Sequence, residues 1–275
     1  MPMWPDPPPV SPAPEGALAP ARSWRSAGGE PPWLGAEVPS AGVLEQVFTV
    51  ACEDRSVPAT LFSPAAASPP LPLILVGHGG REHKRSPRML ALGRLLARSG
   101  LAALAIDGPV HGDRASRGSD AAVVPRELAR AFRLASLADH MVRDWQAALD
   151  AAQRLDHVGV GPVGYWGVCI GTIFGVRLLV AEPRIRAAVL GLMGALPRQV
   201  GSLAREAEGI AIPVLFLQQW GDELVPRARA FELFSHIGSQ EKRLHAYAGR
   251  HDELPEEAFE QSERFLTSRL RRLSA

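Results

Sequence analysis

A cysteine stands at the centre of the pentapeptide Gly167-Val168-Cys169-Ile170-Gly171, where an apolar run gives way to a helical pattern. This G-x-C-x-G form is typical of a sharp strand-to-helix turn that strains its central residue and pushes that side chain outward. The N-terminus of the following helix favours a thiolate, and the Ile170 N–H would point to where an oxyanion forms. Cys169 is therefore a candidate nucleophile for acyl transfer. The alternative is that it packs as a small hydrophobic residue, as free cysteines commonly do.

A cysteine nucleophile needs an imidazole to manage its proton and a carboxylate to orient that imidazole. Asp222 follows the apolar run IPVLFLQQWG, and His251 follows KRLHAYAG. Both stand at the ends of predicted strands, where this kind of fold presents its chemistry, in the order nucleophile, acid, histidine. Glu223 remains an alternative acid. His245 and His236 remain alternative bases, although the pattern places one inside a strand and the other in a helix.

A second glycine-rich segment, Gly77-His78-Gly79-Gly80, follows the first predicted parallel strand. Glycines at this place let backbone N–H groups approach a ligand closely, so the segment is expected to complete an oxyanion hole with Ile170. Gly79, Gly80 or Arg81 could supply the donor, and the sequence leaves the choice open. We also expect the side chains of His78 and Arg81 to contribute to substrate binding.

The sequence DGPVHGDR at 107–114 also lies at a strand end and contains Asp107 and His111. An aspartate and a histidine so close together could be taken for a second catalytic pair, but their proximity in one loop favours a hydrogen-bonded turn that lines the pocket. We expect His111 and Trp220 to be substrate-binding residues. The excursion at 115–138 could cap the pocket.

The elements that must position these residues follow a regular order. VLEQVFTV and SVPATLFSP, separated by the polar turn CEDR, predict an antiparallel hairpin. Six apolar runs then alternate with amphipathic helical stretches, a pattern that predicts a mostly parallel sheet with helices on both faces. The stretch between the strand ending near Leu192 and the strand beginning near Ile212 is too short for a large lid.

The N-terminal segment 1–40 differs from the remainder, because it contains eleven prolines and no amphipathic period. It is predicted to be an arm, followed by one catalytic domain at 41–275. Trp4, Trp24 and Trp33 are costly to leave in water, so parts of the arm are expected to lie against the domain or a partner subunit. The arm is thus a candidate contact for a homo-oligomer.

Composition excludes several function classes. The 275 residues carry a formal net charge of +1, which favours neither nucleic acid nor an anionic membrane as a partner. No run of about 18 apolar residues is available to span a bilayer. The two cysteines, Cys52 and Cys169, make no disulfide framework or metal motif, and no cofactor is expected. A reducing cytoplasm and a small-molecule acyl substrate fit these features.

The segments GHGG, DGPVHGDR, GYWGVCIGT, DELVP and GRH, in this order over about residues 43–272, resemble the α/β-hydrolase superfamily. The resemblance is to its dienelactone hydrolase-like branch, in which cysteine is the nucleophile. It implies an α/β-hydrolase fold, with Cys169 as nucleophile, Asp222 as orienting acid and His251 as base. Two departures stand out: Thr172 follows Gly171 where the branch usually has a second glycine, and the upstream glutamate that controls the cysteine has no clear equivalent.

The predicted reaction is hydrolysis of a carboxylic ester, lactone or thioester through a covalent acyl-enzyme, with neutral His251 removing the thiol proton. An acyltransferase would use the same three residues and pass the acyl group to another acceptor. A binding protein on a catalytically decayed hydrolase fold is a third alternative, since fold does not determine function.

Overall fold

The computed structural model describes residues 37–40, 42–66, 68–115, 137–195 and 203–273. The strands in this part of the chain are β1 (Glu37–Ser40), β2 (Val43–Cys52), β3 (Arg55–Pro64), β4 (Leu73–Gly77), β5 (Ala102–Ile106), β6 (Val163–Val168), β7 (Ile185–Gly191), β8 (Val214–Gln219) and β9 (Lys242–Tyr247). The helices are α1 (Pro87–Arg98), α2 (Leu137–Gln153), α3 (Ile170–Ala181), α4 (Leu203–Ala207), α5 (Arg227–His236) and α6 (Glu256–Arg271). The described strands form one sheet in the order β1-β2-β3-β5-β4-β6-β7-β8-β9.

The sheet begins with antiparallel pairing, as the sequence predicts. Strands β2 and β3 form a hairpin that closes at the pair Cys52 and Arg55, and β3 pairs antiparallel with β5. Strand β1 adds to the outer edge of β2, where Pro39 is tolerated because an edge strand need not donate every N–H. This strand lies within the segment assigned to the arm, so the sheet starts before residue 41. Residues 1–36 lie outside the described part of the chain.

The remaining pairings are parallel, and the strand order reverses at β4. Strand β4 pairs parallel with β5 on one side and with β6 on the other. Because the chain leaves β4 for one neighbour and later returns for the other, a crevice opens at the carboxyl end of β4, where ligands bind in such sheets. The loop after β4 and the turn after β6 therefore meet at this edge.

Helices cover both faces of the sheet, so the central strands are apolar on both sides. Every residue of β4 and β5 is buried. Helices α1 and α6 pack on one face through side chains such as Met89, Leu92, Phe265 and Leu266. Helices α2 and α3, with parts of α4 and α5, pack on the other face. The predicted mostly parallel sheet with an antiparallel start and helices on both faces is confirmed.

Local signals in the sequence place several helix ends. Helix α1 begins at Pro87, a residue suited to the first turn, and Gly100 beyond its C-terminus has a φ of 80°.

Helix α4 was not predicted and is only five residues long. The pocket-capping excursion predicted at 115–138 falls largely on 116–136, outside the described residues. The segment predicted to be too short for a large lid contains α4, and its residues 196–202 also lie outside the described part of the chain. No helix in the described ranges is long and apolar enough to cross a membrane.

Candidate active site

Cys169 occupies the turn between β6 and α3 and has a left-handed backbone, with φ 56° and ψ −120°. Such angles cost energy for a residue with a side chain, and the surrounding contacts hold them in place. The Cys169 N–H donates to the Gly191 carbonyl at 3.0 Å, and its carbonyl accepts from the Thr172 N–H at 3.0 Å. The side chain is partly exposed. This is the strained turn that the G-x-C-x-G pattern predicts.

Gly171 is required because the turn packs against strand β4. A Cβ atom at this position would lie 2.6 Å from the Gly77 carbonyl oxygen, which is backbone and cannot move aside. Beneath the turn, the fully buried Tyr165 hydroxyl donates to the Gly171 carbonyl at 2.6 Å. Burial raises the pKa of Tyr165, so the hydroxyl keeps the proton that it donates. Sequence reasoning missed Tyr165. The feature that could have indicated its role is a large aromatic residue in a strand flanked by several glycines.

Thr172, the departure from the dienelactone hydrolase pattern, has a structural function. Its Oγ1 lies 2.6 Å from the Gly191 carbonyl oxygen and accepts the Gly191 N–H at 2.9 Å. The side chain is fully buried. Because a glycine could make neither contact, Thr172 joins the first turn of α3 to the end of β7.

Asp222 and His251 come together at the carboxyl ends of β8 and β9. His251 Nδ1 lies 2.8 Å from Asp222 Oδ2, and each side chain is 3% exposed. The other carboxylate oxygen, Oδ1, accepts the N–H groups of Leu224 at 2.9 Å and Val225 at 2.8 Å. Burial alone would raise the pKa of Asp222, but the hydrogen bonds from His251 and from these N–H groups lower it. The carboxylate is thus ionised and fixed in orientation.

The alternative partners lie elsewhere. The Glu223 carboxylate accepts the backbone N–H of His251 at 3.0 Å and does not contact its ring. His236 pairs with Glu208 on the surface of α5, and the His245 ring contacts Gln261 of α6.

His251 is also coupled to Cys169. Burial lowers the pKa of His251, but the hydrogen bond to Asp222 and the interaction with the Cys169 sulfur outweigh burial and raise this pKa to about 10. The His251 Nε2 atom makes no well-formed hydrogen bond to a described residue. The sulfur is therefore near enough to interact electrostatically without ideal hydrogen-bond geometry, as is common before a substrate binds.

The two glycines of the segment after β4 differ in what their N–H groups contact. The Gly79 N–H donates to the Glu82 carboxylate at 2.8 Å, so it is not available to an oxyanion. The Gly80 N–H has no partner among the described residues. Gly80 lies against Ile170, because a Cβ atom built on Gly80 would be 3.5 Å from the Ile170 Cγ2 atom. The Ile170 N–H begins α3 and has no acceptor within that helix.

The residues expected to bind substrate lie in different settings. His78 and His111 are 4% and 2% exposed, and their ring nitrogens contact main-chain atoms of the two loops. Neither ring has a nitrogen free for a ligand. Arg81 is exposed next to Gly80. Trp220 is 55% exposed at the end of β8, with the Arg227 guanidinium 4.3 Å from its ring centroid.

Strained backbone is concentrated at this edge of the sheet. Val110, Cys169 and Leu192 have φ angles of 58°, 56° and 49°, and they follow β5, β6 and β7. Residues held in this way against their preferred backbone angles often mark functional sites.

In the described part of the chain, no group of three or more His, Cys, Asp or Glu side chains is arranged to hold a metal ion.

A cysteine on a strained strand-to-helix turn, a histidine–aspartate pair and glycine-loop N–H groups at the carboxyl edge of a mostly parallel sheet are features of α/β-hydrolases. A PEG-bound structure of a cold-adapted esterase from an Arctic intertidal metagenomic library is 34% identical to this chain. It matches 86% of this chain and 99% of its own length, with a TM-score of 0.75. The chain belongs to the α/β-hydrolase superfamily and is an enzyme of that class.

More distant structures share the fold. A dienelactone hydrolase from Anabaena variabilis is 18% identical and matches 84% of this chain and all of its own, with a TM-score of 0.64. An acetyl xylan esterase from Paenibacillus sp. R4 is 18% identical and matches 86% of this chain and 88% of its own, with a TM-score of 0.63. Neither a protein-family model nor a curated protein matches the chain.

Proposed function

We propose that this enzyme hydrolyses carboxylic esters, including lactones or thioesters, with Cys169 as nucleophile, His251 as acid and base, and Asp222 as the orienting carboxylate. The hydrogen bond between Asp222 and His251 carries the proposal, together with the interaction of this ring with Cys169 on the strained turn. The 34% identical relative, an esterase, supports the reaction class.

The raised pKa of His251 bears on which group supplies the proton to the leaving alcohol. With this pKa at about 10, the His251 ring is protonated at neutral pH and holds a proton that it can give to the leaving group. Asp222 holds the Nδ1 proton and leaves the Nε2 proton directed toward the reacting atoms.

In the first half-reaction, the thiolate attacks the substrate carbonyl carbon and forms a carbon–sulfur bond, and the carbonyl π electrons move to the oxygen. The resulting oxyanion accepts hydrogen bonds from the Ile170 and Gly80 N–H groups. When the carbonyl re-forms, the bond to the alcohol oxygen breaks, and His251 Nε2 gives its proton to that oxygen. An alcohol leaves and a thioester to Cys169 remains.

In the second half-reaction, the now neutral His251 removes a proton from water, and the hydroxide attacks the thioester carbonyl. The same N–H groups bind the second oxyanion. Its collapse breaks the carbon–sulfur bond, releases the acid and restores the thiolate beside the protonated ring. Because thiolate leaves a tetrahedral intermediate more readily than an amine does, esters and lactones are favoured over amides as substrates.

The test compares wild type with Cys169→Ala on chromogenic esters and lactones of graded chain length. Cys52→Ala is the matched control, because Cys52 is buried beneath the hairpin and burial raises the pKa of its thiol. We expect Cys169→Ala to lose turnover and Cys52→Ala to keep it. Iodoacetamide should label Cys169 faster than Cys52 and remove activity in proportion. Unchanged turnover by purified Cys169→Ala would disprove the proposal.

A further inference from the structure

We propose that His78 and His111 are positioning residues that together hold the two peptide planes flanking Gly80, so that the Gly80 N–H is aimed at the oxyanion. This inference rests on the proposed function, in which Gly80 donates to the oxyanion. It adds two residues that act through the backbone of another residue and contact no substrate.

Gly80 needs such support because it is a glycine. Without a Cβ atom it adopts more backbone conformations than any other residue, so its own chain does not keep its N–H in one direction. An oxyanion donor is useful only when its direction is set before the reaction, since reorganisation would add to the barrier. The constraint must therefore come from outside the glycine.

His78 holds the peptide plane that contains the Gly80 N–H. Its Nδ1 donates to the Gly79 carbonyl at 2.7 Å, and its Nε2 accepts the Gly108 N–H at 2.8 Å. The peptide group is planar, so fixing the Gly79 carbonyl also fixes the Gly80 N–H, which points the opposite way. Burial lowers the pKa of His78 to about 4, with a further contribution from neighbouring His111, so the ring stays neutral and keeps this arrangement.

His111 holds the next peptide plane. Its Nε2 lies 3.0 Å from the Gly80 carbonyl oxygen, and its Nδ1 lies 2.6 Å from the Pro109 carbonyl oxygen. Carbonyl oxygens only accept hydrogen bonds, so a ring nitrogen of His111 that bears a proton donates to the carbonyl that it faces. With the planes before and after Gly80 both held, its φ and ψ angles have little freedom.

The two histidines also cross-link the loops reciprocally. His78 belongs to the loop after β4 and binds Gly108 after β5, whereas His111 belongs to the loop after β5 and binds Gly80 after β4. Their ring centroids are 4.9 Å apart. The loop after β5 is itself anchored, because the fully buried Asp107 carboxylate accepts the Lys84 N–H at 2.9 Å and its ammonium group at 2.7 Å.

The test uses two polar substitutions of His111 that separate its two bonds. In His111→Asn, the side-chain amide takes the position of the Nδ1 atom. It can therefore reach the Pro109 carbonyl but not the Gly80 carbonyl. In His111→Gln, the amide nitrogen corresponds to Nε2 and can still donate to Gly80. We expect His111→Asn to lower kcat by about tenfold to a hundredfold with little change in KM, because a donor that acts on the transition state is misaimed. His111→Gln should stay within a few-fold of wild type.

Alkylation of Cys169 by iodoacetamide provides the readout that a general structural defect would change. This displacement forms no oxyanion, so both variants should be alkylated at the wild-type rate while only His111→Asn loses esterase activity. Equal kcat in the two variants, a change in KM alone, or a parallel loss of alkylation would overturn the inference. Full activity of Cys169→Ala would instead refute the proposed nucleophile, so the two failures are distinguishable.

Discussion

The substitution Asp222→Asn tests the central electrostatic claim, because the structure determines which way the new amide faces. Asp222 Oδ1 accepts two backbone N–H groups, from Leu224 and Val225, and only the amide oxygen of asparagine can replace it. The amide nitrogen must then face His251 Nδ1. A donor at this position cannot accept the Nδ1 proton, so the doubly protonated ring loses its partner.

The magnitude follows from the pKa of His251. The rise from 6.5 to about 10 corresponds to about 5 kcal/mol in favour of the protonated ring, and the hydrogen bond to Asp222 is the largest single contribution that raises this pKa. If the variant returns this pKa to 6.5 or below, about 3% of the rings or fewer are protonated at pH 8. The kcat/KM value at pH 8 should therefore fall by at least about 30-fold.

The assay is the pH dependence of kcat/KM on a chromogenic ester. Wild-type activity should decline as pH rises through about 10, because His251 then loses the proton that it gives to the leaving alcohol. In Asp222→Asn this decline should move to lower pH, because the variant loses the hydrogen bond that contributes most to raising the pKa of His251. Glu223→Gln is the control, since Glu223 accepts the His251 backbone N–H and pairs with Arg250, and it should leave the decline in place. An Asp222→Asn profile that superimposes on wild type would refute this reasoning.

Two further substitutions test the framework of the site. Lys84→Met should lower the free energy of unfolding by about 3–5 kcal/mol in urea titrations, because it leaves the Asp107 carboxylate buried without its cation. A loss below about 1 kcal/mol would contradict this role of Lys84. Thr172→Val should lower the free energy of unfolding by about 1–3 kcal/mol in the same assay, because the buried Gly191 N–H loses its acceptor. Thr172→Ser keeps the hydroxyl, so equal stability of these two variants would count against the role of Thr172.

Much of the site follows from the order of elements along the chain. Parallel strands bring their carboxyl ends to one edge, so residues after β6, β8 and β9 meet although Cys169 and His251 are far apart in sequence. This argument predicted the contact between Asp222 and His251, which lies at 2.8 Å in the structure. The glycines around Cys169 predicted its strained backbone for a similarly local reason.

Other features depend on atoms that the sequence does not place relative to one another. Glu82 accepts the Gly79 N–H, whereas the Gly80 N–H has no acceptor in the part of the chain that the structure describes. His78 and His111 were expected to bind substrate, yet their ring nitrogens face the backbone of the opposite loop. No pattern of residue types specifies such pairings, because each depends on the direction of a side chain in a packed loop.

The sequence by itself determined the layered α/β architecture, the turn at Cys169 and the strand ends where its partners stand, because these depend on hydrophobic period, glycine spacing and chain order. Only the tertiary structure decided that the pKa of His251 is raised, with Asp222 among the causes, and that Glu82 accepts the Gly79 N–H. A pKa and a hydrogen-bond partner are set by burial and by charges a few ångströms away, and at this site those neighbours come from different strands and loops.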